Sequence, residues 1–228
     1  MIKKWDSKSQ KIIEKAYQNS KSYITEDSKE IFDPQKYIYI NPNEIQFRCG
    51  LSYPRKGSNN KRLTNYGKII QETDWEHFEK PVQKYKLYDC LVKRIIHGQS
   101  WDNSGVYDLK LSEVERAGRA IDGCISKKDF INRYSKIDAL IENLMSHDFK
   151  RQIDLSDSAN ISNEMFVSIG KTGRIYFSAG GNHRLFISQI LRLKKIPALV
   201  LARDVDWIQT ILMLPQEAKS TYPHPDLL

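Results

Sequence analysis

Hydrophobic and polar positions change period several times along the chain. In WDSKSQKIIEKAYQNSKS (residues 5–22) Trp5, Ile12, Ile13 and Tyr17 carry helical spacing, which predicts a peripheral amphipathic helix. KYIYINPNEIQF (36–47) alternates and then meets Pro42, so it predicts a strand followed by a turn. RCGLSYPRKGSNNKRLTN (48–65) is rich in Gly, Pro, Ser and Asn and reads as loop. YGKIIQETDWEHFEK (66–80) reads as a short strand or turn running into acidic and aromatic residues. YKLYDCLVKRIIHG (85–98) has one apolar helical face and stops at Gly98. LSEVERAGRAI reads as a helix capped by Ser112. SKIDALIENLMSHDF (135–149) is a helix with Ile137, Leu140, Ile141 and Leu144 on one face.

The following stretch has a sharper pattern. EMFVSIG and RIYFSAG alternate on either side of KTG, as a strand hairpin does. A helix over 183–194 then places Phe186, Ile187, Ile190 and Leu193 inward and ends in Lys194 and Lys195, which suit a helix C-terminus. IPALVLARD is an apolar, buried strand. The element order of strands and helices predicts an α+β fold.

The junction FSAGGNHRLFISQIL joins a strand to a helix through Gly180 and Gly181. Glycines permit backbone angles closed to other residues and let a ligand approach the main chain. The first helical turn beyond them has free N–H groups and a partial positive charge, which together favour anions. Arg184 adds a forked permanent charge suited to phosphate oxygens. His183 adds a donor able to move a proton near neutral pH. Two plainer readings fit the same residues: a tight turn at the glycines, and Arg184 paired with a carboxylate inside the fold.

Composition narrows the partners. The 228 residues are enough to bury a core, and the formal charge of +8 favours anionic partners. Phosphorylated small molecules, nucleic acid and anionic lipid all satisfy that charge, as does a soluble lysine-rich surface with no partner. No apolar run is long enough for a membrane helix, and the opening residues are too polar for a secretory signal. Cys49, Cys90 and Cys124 form no CxxC pair, which points to a reducing cytoplasm and away from structural zinc.

FSAGGNHRLFISQILRLKKIPALVL resembles the signature segment of the ParB/sulfiredoxin fold, in which sulfiredoxins carry Phe-Gly-Gly-Cys-His-Arg and ParB-type proteins Gly-x-x-Arg. SKIDALIENL resembles the lysine-led helix of sulfiredoxins, and INPNEIQFR resembles the opening strand of ParB-type domains. YINPNEI, GKIIQETDWE, RIIHGQSWDNSGVYD, RYSKIDALIENL and GNHRL also occur, in that order, in a ParB-like group associated with surface-polysaccharide gene clusters. The resemblance implies a small mixed sheet with flanking helices and a large, mainly helical insertion. It divides the chain into a helical arm (1–35), a first core strand (36–48), an insertion (49–130), the core (131–205) and a final helix and tail (206–228). It implies that Gly180, Gly181, Asn182, His183 and Arg184 cradle the phosphates of a nucleotide-like ligand. Lys136 and Arg48 would supply further phosphate contacts. Asn182 stands where sulfiredoxins have their catalytic cysteine; it is no nucleophile, so sulfinic acid reduction is excluded. Ala139 and Asn143 replace the two hydroxyl positions of the upstream helix, against a sulfiredoxin-like ATP pose.

Transfer chemistry at a phosphate cradle needs a base and usually a divalent cation. In ETDWEHF, Glu72, Asp74 and Glu76 share one face if the segment is extended. Asp74 and Glu76 would hold Mg²⁺, with Asp74 and His183 the catalytic candidates; a solvated acidic loop with Trp75 plugging the core is the plainer reading. In GQSWDNSGVYD, Trp101 and Tyr107 could stack on a sugar or base and Asp102 bind hydroxyls, although buried aromatic packing is commoner. His97 reads as a capping or surface residue, and PRKGSNNKR (54–62) as a basic loop that closes over an anion or is merely solvated.

These readings favour a cytoplasmic transferase with a polyphosphorylated donor and Mg²⁺. With a nucleoside triphosphate it would be a kinase-like phosphotransferase. With phosphoribosyl pyrophosphate it would be a phosphoribosyltransferase, a reaction that suits surface-polysaccharide biosynthesis; the sequence leaves the acceptor open, a glycan being one candidate. The alternative is a ParB-like nucleotide-binding or DNA-binding regulatory module without catalysis. The DNA-binding form ranks lower, because the residues after Arg203 predict one short helix rather than a helix-turn-helix array.

Overall fold

A computed structural model of the chain describes residues 4–21, 31–49, 51, 63–71, 75, 80–146 and 149–228. In chain order the described elements are β1 (Lys4–Trp5), α1 (Ser7–Ser20), β2 (Tyr37–Ile40), β3 (Phe47–Arg48), β4 (Lys68–Ile70), β5 (Lys80–Pro81), α2 (Lys86–Ile95), α3 (Val106–Ala117), α4 (Lys127–Ser146), α5 (Gln152–Leu155), β6 (Ser158–Ala159), β7 (Phe166–Ile169), β8 (Ile175–Ala179), α6 (Asn182–Ile190), β9 (Ile196–Asp204), α7 (Val205–Met213) and α8 (Gln216–Thr221). The fold is α+β with a mixed sheet. The chain forms two compact units: Met1–Lys80 with Lys150–Asn182 and Leu193–Leu228, and Pro81–Phe149 with His183–Arg192.

The first unit is organised by β9. All nine of its residues are buried, as the apolar run IPALVL demands. Along one edge it pairs in parallel with β7. On its other edge β2 lies antiparallel opposite Ile196–Leu199, and β4 lies parallel opposite Ala202–Asp204. The β7–β8 hairpin is antiparallel as the alternation predicts, and its turn is closed by Gly170 and Arg174 (N···O 2.8 Å). Gly173 in that turn has φ +83°, and a Cβ there would stand 2.8 Å from the Trp207 ring. The sheet order is β2-β9-β7-β8-β3-β5, with β4 also on β9. A two-stranded parallel pair, β1 with β6, lies apart from it.

Helix α1 starts where Asp6 accepts the Ser9 amide at 2.7 Å. Its Ile13 and Ala16 join Tyr66, Phe166, Leu199 and Leu201 in a buried apolar cluster of this unit. A second cluster joins Cys49, Trp75 and Tyr176. Beyond β9, two helices are present where one was expected. Asp204 caps α7, and Pro215 then fixes the backbone that restarts the chain as α8.

The second unit is helical. Helix α4 buries Phe130, Tyr134, Ile137, Ile141 and Leu144, one stripe at helical spacing. It begins well before residue 135, because Ser126 and Asp129 form a reciprocal capping pair: the Asp129 carboxylate accepts the Ser126 amide (3.0 Å) and the Ser126 hydroxyl accepts the Asp129 amide (3.2 Å). Ser112 is not a cap; it lies inside α3. That helix starts after Gly105 and stops at Gly118, whose N–H reaches the Val114 carbonyl at 2.9 Å. Helix α6 starts at Asn182 and ends at Ile190, short of the predicted Lys194. Among the described residues no helix is long and apolar enough to cross a membrane.

Candidate functional site

The strand-to-helix junction is built by β8 and α6. Gly180 has φ +66° and Gly181 has φ +57°, angles that disfavour any side chain. A Cβ on Gly180 would fall 1.8 Å from the Glu164 carbonyl oxygen. A Cβ on Gly181 would fall 3.2 Å from the Met165 Cβ. The lead-in to β7 therefore presses on both glycines, and the tight-turn reading accounts for Gly180 without a ligand.

Arg48 is fixed beside the first residue of α6. β3 runs parallel to β8 with Arg48 opposite Phe177, and the Cys49 amide bonds the Phe177 carbonyl at 3.0 Å. That register lays the guanidinium over the Phe177 ring, 5.0 Å from its centroid. Nη1 donates to Asn182 Oδ1 at 3.3 Å. Arg48 is buried rather than a surface cation. Asn182 and Gly181 are half-buried.

Glu164, in the same unit, was missed by sequence reasoning. Its carboxylate is buried and accepts from the Tyr37 hydroxyl (2.6 Å) and the Gln152 amide (2.7 Å). Burial, with the Glu164 charge beside it, raises the Tyr37 phenol far above its ordinary pKa, so it stays protonated and donates. The only sequence signal was a charged residue opening an otherwise apolar strand.

In the second unit, His183 and Arg184 are both buried. Tyr134 on α4 and His183 share a hydrogen bond, Oη to Nε2, at 3.2 Å. Burial raises the Tyr134 phenol well above its ordinary pKa, so it is the donor. Burial also lowers His183 to about 4, against a weaker opposing effect of Asp122. At neutral pH the imidazole is therefore uncharged, with Nε2 accepting and the proton on Nδ1. The Arg184 guanidinium lies over the Phe149 ring, 4.4 Å from its centroid. Lys136 is exposed on α4.

The remaining candidates divide clearly. Glu72, Asp74 and Glu76 lie outside the described residues, as does the 54–62 loop. Trp75 is a buried core residue: its indole donates to Asp204 Oδ2 at 3.1 Å and packs edge-on to Tyr176. Trp101 donates to Asp138 (2.9 Å) and, with Tyr107, packs around Tyr134; Asp102 pairs with Lys127 at 2.7 Å. Those aromatics are packing residues. His97 is exposed beyond the end of α2. Among the described residues no group of three or more His, Cys, Asp or Glu side chains could hold a metal ion.

Comparison of the chain with protein-family models, with curated proteins and with solved structures gives no match.

Proposed function

We propose that the protein binds a polyphosphorylated donor, a nucleoside triphosphate or phosphoribosyl pyrophosphate, at the start of α6 and acts as a transferase. One observation carries this reading: the Arg48 guanidinium, buried and aligned by the sheet, sits 3.3 Å from the side chain of the helix's first residue. The N-terminal end of a helix, here α6 with nine residues, carries a partial positive charge that favours anions. A phosphate oxygen displacing the Asn182 amide oxygen from Arg48 would gain a charge-assisted bond without reorganising the cation. Mg²⁺ would neutralise donor phosphate charge during transfer, and Asp74 and Glu76, which lie outside the described residues, would be its ligands.

The second reading, a nucleotide-binding module without catalysis, draws on His183. A buried neutral imidazole bonded to Tyr134 positions its neighbours and does not shuttle protons at neutral pH.

The variant Asn182→Asp tests both. A carboxylate there pairs with Arg48 and suits a helix start, so the fold should keep its thermal midpoint. The same carboxylate repels phosphate. Calorimetry with ATP, phosphoribosyl pyrophosphate, inorganic pyrophosphate and duplex DNA, each with Mg²⁺, should show one phosphate donor binding the wild type and losing ten-fold or more in affinity with the variant. Equal binding by both proteins removes the assignment. Binding without consumption of the donor in the presence of candidate acceptors selects the non-catalytic reading.

A further inference from the structure

Away from α6, the first unit contains a complete carboxylate recognition site. Arg203, near the end of β9, directs Nε at both oxygens of Asp226 (3.1 and 2.9 Å) and Nη2 at Oδ1 (2.5 Å). The Trp207 indole, one turn into α7, donates to Oδ2 at 3.0 Å. The carboxylate is fully buried. Burial alone would raise its pKa, but the Arg203 charge and the Arg203 and Trp207 hydrogen bonds bring it below the ordinary carboxylate value.

The donors are held by contacts that do not involve Asp226. Arg203 Nη2 also donates to the Ile31 carbonyl at 3.1 Å, and the guanidinium lies over Phe32, 5.5 Å from the ring centroid. Trp207 is wedged against Gly173, where no Cβ would fit. The carboxylate is carried by a short segment, 222–228, stiffened by Pro223 and Pro225. Tyr222 and His224 of that segment pack against the Trp207 ring, with centroids 6.3 and 4.3 Å apart. His224 Nε2 lies 2.8 Å from the Gly173 carbonyl, and Lys36 Nζ lies 3.3 Å from the Asp226 carbonyl. Two rigid donors on regular elements thus face one acceptor on a strap.

We propose that Arg203 and Trp207 form a carboxylate-binding site whose tethered occupant is Asp226, and that a small free carboxylate such as acetate occupies it when that side chain is absent. The ligand class follows from the donor set: a fork and an indole N–H, matching two oxygens in one plane. Burial excludes a hydrated ion that keeps its water shell. The proposal is independent of any activity at α6, because it uses none of those residues.

The test compares Asp226→Ala with Asp226→Asn in the full chain. The alanine variant empties the site; the asparagine variant fills it with a neutral group of the same shape. Acetate or formate should raise the thermal midpoint of Asp226→Ala saturably, beyond the effect of equal chloride, and should do nothing specific to Asp226→Asn or the wild type. If Asp226→Ala does not fold in chloride, its folded fraction on refolding in acetate is the readout. Equal responses to acetate and chloride, or equal acetate responses in both variants, overturn the proposal.

Discussion

Replacing Gly180 with alanine tests what the glycine pair is for. Gly180 and Gly181 share the left-handed region, so each alanine carries roughly 1–2 kcal/mol of backbone cost. The difference lies in what the new methyl meets. At Gly181 it meets the Met165 side chain at 3.2 Å, which can turn away. At Gly180 it meets the Glu164 carbonyl at 1.8 Å. That carbonyl cannot retreat freely, because the Glu164 amide is bonded to the Ile161 carbonyl (2.9 Å) and the Met165 carbonyl accepts the Leu199 amide (2.9 Å). Forcing the chain apart there adds about 2–3 kcal/mol, the scale of an overpacked core. Gly180→Ala should therefore cost about 3–5 kcal/mol and Gly181→Ala about 1–2 kcal/mol. In a chain of this size that is a drop in thermal midpoint of roughly 10 °C or more against roughly 4 °C. Urea unfolding followed by circular dichroism should show the midpoint shift at unchanged slope. Equal destabilisation by the two alanines, or a Gly180→Ala protein of native stability that fails only to bind a donor, would refute the packing argument and make the glycine a ligand contact.

Two further outcomes follow from burial. Both His183, at about 4, and His224 have folded pKa values lowered chiefly by desolvation, so the unfolded chain binds the protons first. Stability should be complete above about pH 6.5 and fall as pH drops below it, the His183 share reaching on the order of 3 kcal/mol near pH 4; His183→Gln should flatten that slope, and an unchanged slope would show that the ring is not buried neutral. Cys49, Cys90 and Cys124 are buried thiols, each raised in pKa first by desolvation; iodoacetamide at pH 7.5 should label none of them in the native protein and all three in urea, and rapid native labelling of Cys49 would contradict its burial against Trp75 and Tyr176.

The sequence made the β7–β8 hairpin, β9 and the start of α6 legible because period and apolar content agreed over several residues. It left 66–80 open between a short strand and a turn, and only pairing with Ala202–Asp204 makes the three residues of β4 a strand. The start of α4 was legible in principle, since Ser126 and Asp129 have capping-box spacing, but the apolar stripe begins only at Phe130 and drew the helix too far along. At the candidate site, residue types were readable and environments were not. An arginine after a strand reads the same whether it is solvated or stacked over Phe177. A histidine at a helix start reads as a proton carrier until Tyr134 and burial hold it neutral. Two adjacent glycines do not say which atoms press on them; only the Glu164 carbonyl distinguishes the first from the second.

The passage from β2 to β3 ties together two pairings that are not neighbours in the sheet. Ile40 ends the strand that lies opposite Ile196 on β9, and Phe47 opens the strand whose Arg48 lies opposite Phe177 on β8. Between them the chain makes one tight turn, Pro42–Glu44. A residue removed from this crossing must be made good at one pairing or the other, by fraying β2 from Ile196–Leu199 or by shifting β3 along β8. Because successive strand residues point to opposite faces, a one-residue shift of β3 would turn the guanidinium away from Phe177 and Asn182. The number of residues in the crossing therefore fixes where the cation stands, as surely as the codon for arginine fixes that it is there.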